Sequence, residues 1–543
     1  MEATYAGDHR YDEQLPNNLT VEFRAREKVF FQIYLEAARK FERGQLSAEE
    51  QLSCDILQWE CERQLERLEF PMHLLPVNQF HSLHLEMGQW AGGTAAQPFR
   101  SVRDYDNWLK RLDAFAEWCQ TAIDNMRAGL KRGYVLPRAI TEKTIPQMAA
   151  MTTLPVERHL YYTPIKRMPA TFPASDRARL TSAYAAIIEK KIVPAFRQLE
   201  KFLKEDYFPA SRNSSGIGAL PRGAEYYRVL IKNHTTTDLT AEEIHQVGLR
   251  EVARLLGEMN KVREQVKFKG ELKAFFEHVR TRAELRPFTD PQQVIDHFQA
   301  LRRKGEPSVQ RLFSLVPRTP LEIRRTEAFR EATASAEWNY GSLDGTRPGI
   351  FYVPIPDVSA YNVLRDEALF LHEAIPGHHY QYSLQRENER LPMFRRAIDY
   401  SAFGEGWGLY CESLGKELGF YEDPYQYFGM LSMEMHRAIR LVVDTGLHAK
   451  AWTREEAIQY SLDHEPLAKD HIVQEIERYM VYPGQALSYK IGQLKILELR
   501  ERAAKALGPR FDIREFHSRI LESGCLPLNL LERKIERWLA EPR

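Results

Sequence analysis

Leu371-His372-Glu373-Ala374-Ile375-Pro376-Gly377-His378-His379 reads as a helix that delivers metal-binding side chains and then breaks. A glutamate directly after one histidine, with a second histidine one to two turns on, is the pattern of a hydrolytic zinc site. The histidines hold the metal and the glutamate takes a proton from water. The spacing is not that of H-E-x-x-H, in which histidines four apart share a helix face. Regular helix would carry His378 about 9 Å along the axis and on to another face, whereas two ligands of one zinc lie about 2.0–2.1 Å from it. Pro376 cannot donate to the carbonyl of His372, and Gly377 tolerates backbone angles that other residues avoid, so the chain can bulge where residues must loop out. On the residues alone, His378 and His379 are both open as second ligand.

The chain has 543 residues, enough for a large core and more than one domain. Lysine plus arginine and aspartate plus glutamate balance at 75 each, so no net field points to nucleic acid or membrane, and the expected partner is a peptide or small amide. Cys54, Cys61, Cys119, Cys411 and Cys525 are scattered and odd in number, which fits reduced thiols better than a disulfide frame. The N-terminus lacks a basic-then-apolar leader pattern and no run reaches about 18 apolar residues, so the expected location is cytoplasmic.

Residues 1–20 are polar and are expected to be loose, followed by a helical lobe over 21–205 and a catalytic region over 206–543. Phe30, Tyr34, Ala37 and Phe41 recur at helical spacing, and Ser47 to Glu50 and Thr240 to Glu243 form capping boxes, the second opening a helix to about Val266. Helices are expected over Val102–Arg132 and over Asp176–Glu205, with a kink at Pro194. Residues 207–225 read as a loop, and Arg318-Thr-Pro-Leu and Thr346-Arg-Pro-Gly as breaks. Gly349 to Pro354 reads as a strand, tolerable with Pro354 only at a sheet edge if it is to face substrate, or else internal. Asp357 is positioned to cap a helix carrying Leu364, Ala368 and Leu371 on its core face.

A catalytic zinc held by two histidines needs a third protein ligand and an open fourth position. Glu405 and Glu412 are the candidates, on a stretch whose Trp407, Leu409 and Tyr410 predict burial. A polar stripe of Arg437, Arg440, Asp444 and His448 marks the next helix. Asp444 suits the role of carboxylate partner to a ligand histidine, and Arg440 suits a substrate carboxylate or an internal salt bridge with Asp444. Farther on, Tyr482, Tyr489 and Lys490 offer a phenol or ammonium to the oxyanion of amide attack or to substrate. The helix from Gln485 to about Leu507 stops at Gly508-Pro509.

Leu371 to Gln381, Glu405-Gly406-Trp407, Arg440 to His448 and Tyr482 to Lys490 resemble the mainly bacterial family catalogued as domain of unknown function 885. That family is grouped with the zincin metallopeptidases and is distantly similar to thimet oligopeptidase and carboxypeptidase Taq. The resemblance covers about residue 20 to the C-terminus. It implies a predominantly α-helical, two-lobed zincin-like fold with a small β-sheet beside the cleft, and one zinc per chain. It favours His378, because Gly377-His378 resembles the Gly-His that ends the thimet oligopeptidase motif, and Glu405, whose separation resembles that of a third-ligand glutamate. Zincins of this type use a tyrosine or histidine from a later helix, here Tyr482 or Tyr489. Many relatives look like exported lipoproteins, from which this N-terminus departs.

The expected function is therefore a zinc-dependent hydrolase of peptide or other amide bonds, with His372, His378 and Glu405 on the metal, Glu373 as base, Tyr482 or Tyr489 at the oxyanion and Arg440 and Lys490 toward substrate. Alternatives are an amide hydrolase dedicated to one biosynthetic or catabolic small molecule, a non-hydrolytic iron or manganese enzyme, and an inactive peptidase-like binding protein. A homodimer is compatible with the sequence.

Overall fold

Helix-favouring periodicity becomes helix almost wherever it is marked. The computed structural model describes residues 1–5, 7–92, 96–327, 331, 334–341 and 347–542; the break expected at Thr346 lies outside them. The chain divides into two compact units, one of Met1–Ala38, Glu60–Tyr226 and Met480–Tyr482, the other of Arg39–Trp59, Tyr227–Tyr479 and Pro483–Arg543.

In the first unit, α1 (Val21–Arg39) has the expected helical spacing but turns the opposite way. Leu35 and Ala38 are buried, while Phe30 and Tyr34 are exposed. Helix α2 (Val102–Arg132) opens on a capping box between Ser101 and Asp104 and buries Arg111 completely. That guanidinium donates to the carbonyls of Tyr11 and Gln14 and to the Thr4 hydroxyl, so residues 1–20, expected to be loose, are tied down by a buried charge that must be satisfied. Before Pro194 the helix widens into a π turn over Ile188–Ile192, which accommodates the missing N–H without a sharp break.

In the second unit two close helix pairs set the frame. Helix α3 (Ala241–Gln265), opened by the Thr240 to Glu243 capping box, meets the long helix Pro424–Ala449 at Gly248, where a Cβ would lie 2.8 Å from Leu441 and Val442. A three-stranded sheet has the order β1-β3-β2, with β1 Leu321–Arg325, β2 Glu337–Asn339 and β3 Gly349–Val353. β3 pairs in parallel with β1 (Leu321 opposite Gly349) and antiparallel with β2 (Glu337 opposite Tyr352). The strand expected at an edge, open to substrate, is thus the central one; Pro354 falls just beyond its last residue, where no ladder donor is needed.

Helix α4 (Asp366–Glu373) begins nine residues later than the Asp357 signal, because Asp357 caps only a short 3-10 turn, Val358–Ala360. It buries Ala368 and Leu371 and stops at Ala374. There follow α5 (Ser401–Ser413), α6 (Pro424–Ala449), α7 (Lys469–Val481) and α8 (Ser488–Leu507). Helices α5 and α8 touch backbone to backbone at Gly406 and Gly492, since a Cβ on Gly492 would lie 1.9 Å from the carbonyl of Ala402. This contact generates a prediction. Gly492→Ala should destabilise the protein by about 1–3 kcal/mol or more, whereas Gly257→Ala, at an exposed α3 position with nothing within 4 Å, should stabilise by up to about 1 kcal/mol. Thermal melts should therefore order Gly257→Ala, wild type and Gly492→Ala from highest to lowest.

Candidate metal centre

Between α4 and the next helix (His378–Glu387), four residues interrupt the helix as a bulge. The Ile375–Pro376 peptide is cis, and Gly377 comes so close to the preceding turn that a Cβ there would lie 1.9 Å from the carbonyl oxygen of His372. Only glycine fits. Trp407 Nε1 donates to the Pro376 carbonyl at 2.9 Å, so α5 fastens the bulge from the side. The result brings the ring of His378 to 4.7 Å from that of His372, at 85°.

Glu405 completes the group. Its Oε2 lies 3.4 Å from His372 Nε2 and 3.5 Å from His378 Nε2, and all three donor atoms fall within 4.8 Å of one another. Tetrahedral ligands at about 2.0–2.1 Å from one zinc stand about 3.3 Å apart, so the donor set has the size and the N/N/O chemistry of such a site. Gly408, one turn beyond Glu405, leaves room for the His372 ring, which a Cβ would approach to 2.6 Å. Glu412, seven residues on and so on the same helix face, accepts from His372 Nδ1 at 2.8 Å, which leaves Nε2 aimed at the other donors.

The electrostatics favour a cation. Burial alone would lower His372, but Glu405 and Glu412 raise it to about 9. Burial likewise penalises an ionised Glu405, yet the two imidazoles hold it well below the usual carboxylate range. Two carboxylates flanking two buried rings stabilise positive charge at their centre, whether carried by a proton or a metal ion. Glu373, at the end of α4, is raised by burial, opposed by His378 and His372.

The remaining candidates divide. His379 points away: its ring lies at 5.8 Å from Trp338, and a Cβ on Gly349 would lie 2.6 Å from its Nδ1. Asp444 does not orient a ligand; it accepts from the Tyr227 hydroxyl at 2.5 Å and the Gly484 N–H at 3.1 Å, and Glu412 makes the contact expected of it. Arg440 pairs not with Asp444 but with Glu475 at 2.8 Å, and its Nε donates to the Tyr479 hydroxyl. Lys490, expected toward substrate, is fully buried with Glu434 at 2.6 Å and Glu251 at 2.9 Å, because an unpaired ammonium at that depth would be costly. Tyr482 belongs to the first unit, where it stacks on His81 at 5.3 Å. Tyr489 is in the second unit, with the Arg440 guanidinium 4.5 Å from its ring, and burial, then Glu405, raise its phenol. Sequence reasoning passed over Gly408, whose signal was its place one turn after Glu405, and it named Arg437 in the polar stripe of the next helix without giving it a role.

A mainly helical protein with a small sheet and a His/His/Glu cluster is thus defined. Over residues 1–535 the chain matches the family described as "Bacterial protein of unknown function (DUF885)", and it belongs to that family. A candidate lipoprotein from Colwellia psychrerythraea has the same fold at 28% identity and a TM-score of 0.90, over 99% of this chain and 95% of that one. A candidate lipoprotein of unknown function from Shewanella oneidensis matches at 19% identity and a TM-score of 0.75, over 99% and 96%. No curated protein matches the chain. Among the described residues, no helix is long and apolar enough to cross a membrane.

The contact from Glu412 to His372 yields a second prediction. Glu412→Gln should weaken zinc binding by about 10–100-fold with helical content unchanged, as read by competition with a chromophoric chelator; undiminished affinity would show that His372 is held without it.

Proposed function

We propose that this protein is a metal-dependent hydrolase, with zinc as its ion, that cleaves peptide or related amide bonds. The observation that carries the reading is the juxtaposition of His372, His378 and Glu405 with a carboxylate, Glu373, at the residue after the first ligand. His372, His378 and Glu405 would hold the ion, which when bound supplies positive charge that polarises a carbonyl and acidifies water.

The chain's own groups do the rest. Glu373, whose pKa burial raises, takes a proton from the attacking water and passes it to the leaving nitrogen. Tyr489, whose raised phenol stays protonated at neutral pH, donates to the carbonyl oxygen as it gains charge. Glu412 keeps the His372 ring in place. The proposed substrate is a peptide or small amide, with no role for nucleic acid or membrane, and the proposed location is cytoplasmic.

Glu373→Gln is the test. It should retain zinc and helical content and lose turnover of a panel of dipeptides and N-acyl amino acids by about 10²–10⁴-fold; full activity would overturn the reading. The wild-type rate has a sign to check as well. The base must be ionised, so kcat/KM should fall on the acid side as Glu373 is protonated.

A further inference from the structure

Three buried segments of the second unit each open at a single residue. Between Phe428 and His448 every residue of α6 is buried except Arg437. From Ala402 to Glu412 the exception is Glu405, and from Pro483 to Gln493 it is Tyr489. These openings adjoin. The Arg437 guanidinium lies 5.9 Å from the Tyr489 ring, Glu405 acts on the Tyr489 phenol, and Arg437 acts on Glu373.

The charges there do not balance. Glu475 accepts from Arg440 and Arg478, and Glu465 pairs with His436. Arg437 is left over: its Nη1 donates to the Met433 carbonyl at 3.3 Å, its Nε is buried without a hydrogen-bond partner, and it makes no ion pair among the described residues. Arg365, half-buried just before α4, makes neither hydrogen bond nor ion pair among the described residues; burial lowers its pKa, with Glu465 opposing and Arg437 adding to the effect. Arg440 Nη1 is likewise buried and unpartnered. A desolvated guanidinium with an unused N–H is costly unless an anion meets it, and its planar fork matches a carboxylate.

We propose that Arg437, backed by Arg365, binds a free carboxylate of the substrate on the leaving-amine side of the scissile bond. The inference rests on the hydrolase reading, in which Glu373 protonates the leaving nitrogen. Arg437 is a cation that acts on Glu373, so a carboxylate held there belongs to the amine half. The substrates are then amides whose amine half is an amino acid with a free carboxylate, such as dipeptides and N-acyl amino acids, and the cleavage releases that terminal amino acid.

The experiment uses full-length protein stripped of metal with a chelator, so that a carboxylate has no ion to bind. N-acetyl-leucine and N-acetyl-phenylalanine are titrated against their carboxamides by calorimetry and ligand-observed NMR. Binding of the acids about tenfold or more tighter than the amides is expected, with Arg437→Gln and Arg437→Lys each removing that preference. Arg365→Gln, in a separate element, should weaken the acids in the same direction. Equal binding of acid and amide, no binding of the acids, or an undiminished preference in folded Arg437→Gln would overturn the proposal. Failure of the chain to hold zinc would overturn the hydrolase reading and leave this titration standing; loss of the carboxylate preference would leave the Glu373 test standing.

Discussion

The approach of Gly377 to the carbonyl of His372 is the constraint on which the site depends. A side chain there would lie 1.9 Å from that oxygen, so the bulge between two helices exists only because this residue has none. The bulge converts a separation that would spread two histidines over about 9 Å of regular helix into rings 4.7 Å apart. Two further glycines carry the third donor to the same point: Gly408 admits the His372 ring against α5, and Gly406 meets Gly492 so that α5 lies directly on α8. Close backbone approach, more than side-chain bulk, positions the donors.

Charge then differentiates the ground around them. His372 is bracketed by Glu405 and Glu412, and the pair of carboxylates outweighs the burial that would otherwise strip its proton. On the α6 side the imbalance reverses, since Arg437 and Arg365 make no salt bridge among the described residues and Arg437 has a buried Nε without a hydrogen-bond partner. Glu373 stands where the two fields meet, lowered by both imidazoles and by Arg437 and raised by burial and by Glu405. Such opposition is how a carboxyl is tuned toward proton transfer near neutral pH.

Much of this was legible in the residues, for identifiable reasons. The Pro-Gly break announced the bulge, because proline and glycine restrict or free the backbone wherever they stand. Capping boxes at Ser47 and Thr240 fixed helix starts that depend on neighbours three residues away. What depended on distant partners was hidden. Nothing local distinguishes His379 from His378 until Gly349 places β3 against the former's ring. The exposed face of α1 carries aromatic residues at core-like spacing, so periodicity located the helix and misjudged its inward side. Lys490 and Arg440 read as ligands for substrate because Glu434, Glu251 and Glu475, which neutralise them, lie 35 to 239 residues away in sequence. The resident of a central strand, likewise, is set by β1 and β2 and not by β3.

Elemental analysis of the purified protein after zinc loading and dialysis tests the His/His/Glu centre most directly, with His378→Ala, His379→Ala and Glu405→Ala run beside wild type. About one zinc per chain in wild type and His379→Ala, and its loss in His378→Ala and Glu405→Ala, is the expected result. Zinc absent from the wild type, or lost in His379→Ala and kept in His378→Ala, would contradict it.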